Sequence, residues 1–237
     1  MSLSLFLEKN LNKNEMKKFL IISKKKWKKE NFNFFNNKKE FIFLNKIDIN
    51  KINKIKPKII FFLFWSKKIT KEIFSNYLCI QFHSSNLPKF RGGSPIQNQI
   101  LNKMYKTKLS AFKINNILDG GDICMKSDIS LIGNAKDIYI NIEKKALEMI
   151  KKISKKKKIT FKKQSGIPSF YLRRNASQSN IKYVINKKEN AIYDYIRMLD
   201  AEGYPRVFLK LGNKKIEFYE ASYKRNLIFG KFLIKKI

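Results

Sequence analysis

The chain has 237 residues, of which 52 are Lys or Arg and 18 are Asp or Glu, so its formal net charge is +34. Its 43% of hydrophobic and 14% of aromatic residues are enough to build a buried core, which excludes a disordered polymer. No apolar run approaches the roughly 20 residues that span a bilayer, and no segment has the pattern of a secretion signal, so we expect a cytoplasmic protein without a membrane partner.

Short apolar runs separated by helix-length segments fill the first 160 residues. The predicted strands, in chain order, are Phe19–Ser23, Phe41–Leu44, 59–65, Cys79–His83 and 109–114. The run at 59–65 is apolar on both faces, as a central parallel strand is when helices cover both sides of its sheet. The first run also fits a short helix, and Met16, just before it, is an alternative first residue. The alternation of strands and helices predicts an α/β fold with a parallel sheet.

Helices are predicted at 70–77, 95–103 and 134–153. Ser94 and Pro95 predict an N-cap followed by a proline in the first turn. Asn134 and Asp137 predict a capping pair for the longest helix, which carries an apolar stripe at spacings of three and four residues.

The Lys-rich stretch 151–163 is interpreted as a solvated helix end and linker. After Gly166 the pattern predicts a helix at 191–199 and three strands at 207–211, 214–223 and 227–234. We therefore expect one domain over 1–165 and a small C-terminal α+β region over 166–237.

The one histidine of the chain, His83, ends a predicted strand and opens a loop rich in Ser, Pro and Gly. Open α/β sheets bind ligands at the carboxyl ends of their strands, and imidazole is suited to proton transfer near neutral pH. A lone histidine is commonly structural, but this position favours a functional site. One histidine with isolated carboxylates lacks metal-ligand spacing, and Cys79 and Cys124 are too far apart for a zinc pattern or a disulfide framework, so no metal is expected.

A second cluster, Leu118-Asp119-Gly120-Gly121-Asp122-Ile123, places two carboxylates around a glycine pair, which alone is typical of an ordinary turn. Together the two segments resemble the formyltransferase family that uses 10-formyltetrahydrofolate, the methionyl-tRNA formyltransferase-like proteins. The family pattern Asn-x-His-x-Ser-Leu-Leu-Pro-x-x-Arg-Gly stands here as Gln81-x-His83-x-Ser85-Asn86-Leu87-Pro88-x-x-Arg91-Gly92. The pattern Leu-Asp-x-Gly-Asp-Ile follows at 118–123.

The resemblance implies a Rossmann-like formyltransferase domain that takes 10-formyltetrahydrofolate as co-substrate, without a metal. It implies that His83 is the catalytic imidazole, Asp119 its carboxylate partner, and Gln81, where the family has Asn, the donor to the oxyanion. The implied pterin-binding residues are Trp65, Ile69, Leu87, Leu118, Gly120 and Gly121. The implied substrate contacts are Arg91 and Gln97. Plain core packing of Trp65 and a solvated surface position of Arg91 are the alternatives.

The acceptor amine is less well defined by the sequence. Segments 91–98, 170–174 and 196–205 resemble the branch that formylates a nucleotide-linked amino sugar, which is the main prediction. The acidic residue that follows the paired arginines in that branch is replaced here, where Ser177 and Gln178 stand. The first alternative is methionyl-tRNA formyltransferase, whose members normally run longer and carry a complete OB-type barrel.

Two further alternatives stay open, a glycinamide ribonucleotide transformylase and a catalytically impaired formyltransferase-like binding module. The high charge does not decide between them. More than half of the residues are Lys, Ile, Asn or Phe, whose codons are dominated by A and T, and only six of the basic residues are Arg. We favour compositional drift over a selected polyanion-binding surface. The sequence leaves a monomer and a homodimer both open.

Overall fold

The computed structural model describes residues 18–237 except Trp27 and Asn37, so Met16 lies outside the described residues. A six-stranded sheet has the strand order β2-β1-β3-β4-β6-β7. Its strands are β1 Phe19–Ser23, β2 Phe41–Leu44, β3 Ile59–Leu63, β4 Cys79–His83, β6 Lys106–Lys113 and β7 Ile123–Ser130. The first four of these are parallel, whereas β6 runs antiparallel to both β4 and β7.

Within residues 18–237, as far as the structure describes them, six α-helices connect or flank the strands. They are α1 Asn33–Asn36, α2 Ile49–Ile55, α3 Lys71–Asn76, α4 Pro95–Leu101, α5 Ala135–Ser154 and α6 Glu189–Arg197. Short 3-10 turns lie at 29–32, 176–179 and 181–183. Among the described residues, no helix is long and apolar enough to cross a membrane.

The core lies on both faces of the sheet, because alternate side chains of a strand point to opposite faces. On one face, Ile21 and Phe61 join the apolar stripe of α5. On the other face, Ile22 and Phe62 join apolar residues of α2 and α3. Every residue of β1 and of β3 is buried, which confirms the prediction of a central parallel strand near 59–65.

The sequence patterns were wrong at two points of this domain. The strand predicted at 109–114 is antiparallel to β4, and it returns through a turn into β7, which was not predicted. Seven of the eight residues of β7 are polar, or apolar and only partly buried, so no strand periodicity marks it. Ser94 does not cap α4: its φ is +48°, and its hydroxyl accepts a hydrogen bond from the Arg174 N–H at 3.1 Å. The Asn134 cap of α5 is confirmed, since its side chain accepts from the Asp137 N–H at 2.9 Å.

The C-terminal region consists of α6 and a three-stranded antiparallel sheet. Its strands are β9 Val207–Leu211, β10 Lys214–Lys224 and β11 Leu227–Lys236. Arg197 at the end of α6 is buried, pairs with Asp194 at 2.7 Å, and donates to the carbonyls of Leu131 and Gly133. The predicted fold class, a Rossmann-like sheet with a small C-terminal α+β region, is confirmed. The boundary at 165 stays a prediction.

A two-residue parallel pairing links the two parts of the chain. Strand β5, Arg91–Gly92, lies in the loop after β4, and strand β8, Phe170–Tyr171, comes from beyond residue 165. The loop that follows His83 is therefore held by the segment that leads into the C-terminal region.

Candidate active site

Strand β4 carries the histidine to the carboxyl end of the sheet. His83 is the last residue of the strand and is 6% exposed. Gln81 lies two residues earlier, and so on the same face, because side-chain direction alternates along a strand. The neighbouring strands β3 and β6 flank this end of β4.

Both ring nitrogens of His83 have defined neighbours. Nε2 lies 2.7 Å from the backbone carbonyl oxygen of Phe90, and Nδ1 lies 3.6 Å from Oδ2 of Asp119. A carbonyl oxygen only accepts hydrogen bonds, so Nε2 carries a hydrogen. Nδ1 is therefore the nitrogen that can take up or release a proton, and it faces a carboxylate.

The loop after β4 is held by hydroxyl groups that bond backbone carbonyls. Ser85 Oγ donates to the Lys89 carbonyl at 2.6 Å, and Ser110 Oγ on β6 donates to the Ser85 carbonyl at 2.7 Å. The Phe90 N–H donates to Ser169 Oγ at 2.9 Å, and the Phe90 ring stacks on Tyr171 with 4.7 Å between ring centroids. These contacts fix the carbonyl that orients the imidazole.

Asp119 sits in the turn between β6 and β7, where its backbone has a φ of +48° and its side chain is buried. Its Oδ2 accepts a hydrogen bond from the Gly92 N–H at 2.8 Å. A Cβ on Gly121 would overlap the carbonyl oxygen of Lys113, so only glycine fits there. The turn thus brings the carboxylate to the imidazole through close backbone packing.

The Gln81 carboxamide donates from Nε2 to the backbone carbonyl of Trp65 at 3.3 Å. A carboxamide has two N–H groups, so one remains for another acceptor. Trp65 is 8% exposed and packs on Phe62, and its indole Nε1 is buried without a hydrogen-bond partner among the described residues. Ile69, in the same apolar cluster, is also buried.

The remaining predicted pterin contacts differ in exposure. Leu87 is buried, Leu118 is 63% exposed, and Gly120 packs closely against Ile117. The structure therefore places Leu118 on the surface beside the buried Asp119. A role in pterin binding therefore stays a prediction for all of these residues.

The two predicted substrate contacts lie in different surroundings. Arg91 is not solvated: it is 9% exposed, and its Nη2 donates to Gln164 Oε1 at 2.7 Å. Gln97 is fully enclosed, and its Nε2 donates to the Tyr139 hydroxyl at 3.2 Å and to the Met198 carbonyl at 3.1 Å. Neither hydrogen bond of Gln97 reaches the His83–Asp119 pair. Their contacts with a substrate stay predictions.

Sequence reasoning missed three residues that hold the site, Gln164, Ser169 and the backbone of Phe90. Gln164 donates from Nε2 to the carbonyls of Asp119 and Gly121, both at 2.8 Å. It directly follows the Lys-rich stretch 151–163, and nothing in the composition of that stretch marks one polar residue as part of a hydrogen-bond network. No group of three or more His, Cys, Asp or Glu that suits a metal is found within the described part of the chain.

A polar cavity of about 860 Å³ lies between the end of β1, the start of α5 and the C-terminal sheet. Its cationic lining residues are Lys25, Lys26, Lys136, Arg206 and Lys235. Its acidic lining residues are Asp137, Asp200, Glu202, Glu217 and Glu220. Tyr204 also lines the cavity, and its ring stacks on that of Tyr139 with 5.2 Å between centroids. Burial raises the pKa of both tyrosines.

Two family profiles match the chain. The profile described as "Formyl transferase" matches residues 12–153, and that of the "Methionyl-tRNA formyltransferase, C-terminal domain" matches residues 176–235. Among curated proteins, the methionyl-tRNA formyltransferase of Kosmotoga olearia is 29% identical over 72% of this chain and 56% of its own length. That of Clostridium acetobutylicum is 29% identical over 73% and 57%. The chain thus spans little more than half the length of these relatives.

Solved structures give the same picture of the fold. A methionyl-tRNA formyltransferase from Clostridium thermocellum is 37% identical, with a TM-score of 0.86 over 93% of this chain and 99% of that one. A 4-N formyltransferase from Francisella tularensis is 19% identical, with a TM-score of 0.66 over 84% and 94%. At that identity the second similarity concerns the fold alone.

Proposed function

This chain belongs to the formyl transferase family, and from that membership and the site we propose that it moves a formyl group from 10-formyltetrahydrofolate to the amino group of methionyl-tRNA. The observation that carries the proposal is the buried contact of His83 Nδ1 with the Asp119 carboxylate at the carboxyl end of β4. Proton transfer from an attacking amine needs a base held in this way.

The residues near β3 and β4 fit a folate. The buried Trp65 Nε1 has no partner among the described residues, and a pterin ring carries acceptors that would supply one. Ile69 and Leu87 are buried apolar side chains that suit the faces of such a ring. When bound, 10-formyltetrahydrofolate supplies the formyl carbon, which forms a bond to the amine nitrogen while the bond to N10 breaks and N10 takes up a proton.

The chain's own groups handle the proton and the charge. Nδ1 of His83 accepts the proton that the amine loses, and the ring then bears a positive charge beside Asp119. The Phe90 carbonyl keeps the ring oriented, and the Asp119 carboxylate stabilises the imidazolium. The second N–H of Gln81 is the proposed donor to the oxyanion, an interaction that is worth about 3 kcal/mol when it is preorganised.

The sequence features favoured an amino sugar as acceptor, but the comparisons favour the alternative. The curated relatives are named methionyl-tRNA formyltransferases, and the C-terminal profile that matches carries the same name. The solved structure of a sugar 3N-formyl transferase is 19% identical with a TM-score of 0.56, which is a similarity of the fold alone. The exposed lysines at 155–158, directly after α5, suit a polyanionic acceptor.

The test is a competition between acceptors. Formyl transfer from 10-formyltetrahydrofolate to methionyl-tRNA and to a panel of nucleotide-linked amino sugars is followed by mass. We expect transfer to the tRNA and none to the sugars, and His83→Ala should remove the transfer while the protein stays folded. Faster turnover of a sugar at limiting concentration would contradict the proposed acceptor. Transfer by His83→Ala at the wild-type rate would contradict the proposed catalytic base.

Salt dependence provides a second measurement of the acceptor. Changing all four lysines at 155–158 to Gln should weaken tRNA capture and flatten its salt dependence, because each lost phosphate contact removes about 0.7–0.9 from the slope of log affinity against log salt. The matched control changes Lys51, Lys54, Lys56 and Lys58, which are exposed beside α2 on the opposite side of the sheet. Equal effects of the two variants would show a diffuse field and no docking surface.

A further inference from the structure

The side chain of Gln164 joins three segments that meet beside the candidate site. Its Nε2 donates to the backbone carbonyls of Asp119 and Gly121, each at 2.8 Å. Its Oε1 accepts from Nη2 of Arg91 at 2.7 Å. Both N–H groups of the carboxamide are therefore used, together with its oxygen. The residue comes from the segment just beyond the Lys-rich linker.

The chain just before Gln164 is itself attached to the sheet. Lys162 exchanges two backbone hydrogen bonds with Ile123, at 2.8 and 2.9 Å, as an isolated antiparallel bridge at the start of β7. This bridge lies next to the turn that contains Asp119. This backbone pairing therefore fixes the position of Gln164 relative to the turn.

The turn needs such support. Asp119 has a φ of +48°, and the left-handed region costs a residue with a side chain about 1 kcal/mol. The backbone must hold this conformation for Oδ2 to accept the Gly92 N–H at 2.8 Å and to face His83 Nδ1 at 3.6 Å. Gln164 bonds the carbonyls on both sides of Gly120, so it ties down the peptide units on each side of the turn.

Arg91 gives a further reason for a carboxamide at this position. Its guanidinium is buried, no carboxylate lies within 4.0 Å of it among the described residues, and its Nε has no hydrogen-bond partner there. The Gln164 oxygen accepts one hydrogen bond from this buried guanidinium, while the two amide hydrogens of Gln164 donate to carbonyl oxygens. A carboxylate at 164 would suit Arg91 but would repel both carbonyls, and an apolar side chain would leave all three groups unpaired.

We propose that Gln164 is a positioning residue, which acts on catalysis by holding the Asp119 carboxylate against His83. This inference rests on the proposed function for its kinetic consequences, but not for its geometry. It predicts that the Gln164 side chain matters only as long as position 119 carries a carboxylate. A residue that merely stabilised the fold would act independently of that carboxylate.

The kinetic test is a double-mutant cycle between positions 164 and 119, with transfer to methionyl-tRNA as the assay. Gln164→Leu should lower kcat by 10- to 100-fold and leave the KM for 10-formyltetrahydrofolate within twofold. In the Asp119→Asn background the same change should cost less than twofold. The matched control is Gln178→Leu: the Gln178 side chain lies at an exposed turn and accepts a hydrogen bond from the Asn175 N–H, so its loss should leave kcat unchanged. Equal losses in the two backgrounds would overturn the proposal.

A spectroscopic readout keeps the proposal independent of activity. His83 is the one histidine of the chain, so the ¹⁵N spectrum of its ring in the untagged protein consists of one Nδ1 and one Nε2 signal. Gln164→Leu should move the Nδ1 signal in the direction in which Asp119→Asn moves it, and Gln178→Leu should not. If Gln164→Leu does not fold, Gln164→Glu, which retains a partner for Arg91, takes its place. An unmoved signal in the folded variant would overturn the proposal, whereas a wild-type protein that transfers no formyl group would overturn only the proposed function.

Discussion

Replacing Asp119 with Asn removes one negative charge from the candidate site and changes little else. The Asn oxygen can still accept the Gly92 N–H, so the turn should keep its shape. The charge lies 3.6 Å from Nδ1, and both side chains are only 7% exposed. At an effective dielectric constant of about 20, a unit charge at this distance stabilises the imidazolium by about 5 kcal/mol. The dipole of the Asn amide retains part of this stabilisation, so we expect the imidazolium to lose about 3 kcal/mol of stabilisation.

A loss of that size corresponds to a decrease of roughly a hundredfold in the rate of formyl transfer. The assay is single-turnover transfer to methionyl-tRNA with the folate donor at saturation, so that binding does not contribute. The control is Asp128→Asn, because Asp128 lies on the exposed face of β7 and, in the part of the chain that the structure describes, pairs only with Lys108. A rate within threefold of wild type for Asp119→Asn would refute the assignment of the carboxylate.

Three further predictions concern stability and thiol reactivity. Gly121→Ala should lower the free energy of unfolding by more than about 3 kcal/mol in urea titrations, because the added methyl group overlaps the Lys113 carbonyl. Arg197→Met should cost about 3 kcal/mol in the same measurement, since it leaves two carbonyls without their donor and leaves the buried Asp194 carboxylate with only the half-exposed Lys103 as its cation. Burial raises the pKa of Cys79 to about 12 and that of Cys124 to about 11. Their reaction with a disulfide reagent should therefore rise about tenfold per pH unit from pH 8 to 10 and be fast at pH 8 only after unfolding.

The parts of the fold that follow from hydrophobic burial were predictable. The run at 59–65 is apolar on both faces and became the central strand β3, and the stripe and cap of 134–153 became α5. Strand β7 was not predictable, because it is an edge strand with one buried residue, Ile129, and its pairing with β6 is a matter of backbone hydrogen bonds. The predicted direction of β6 was wrong because the apolar pattern of a strand does not show whether it pairs parallel or antiparallel with its neighbour β4.

The candidate site was likewise predictable only in part from the sequence. His83 and Asp119 were predicted from a family pattern, and the structure brings them together. The capping role of Ser94 was wrong because local residue type does not show that a distant N–H, from Arg174, needs the hydroxyl. Gln164 was missed for a related reason: its partners lie 43 to 73 residues away in the chain.

The pairing of β5 with β8 limits where this chain can be joined to another. The Ser169 hydroxyl and the Tyr171 ring support the Phe90 loop, and a side chain at Gly93 would collide with the backbone of Arg173. A hybrid that exchanges the C-terminal region with that of a relative should therefore have its junction after residue 174. A junction at 165 would place foreign residues at positions 169 and 171, which support the Phe90 carbonyl that orients His83. The activity of the hybrid would then reflect a misplaced imidazole and not a changed acceptor preference.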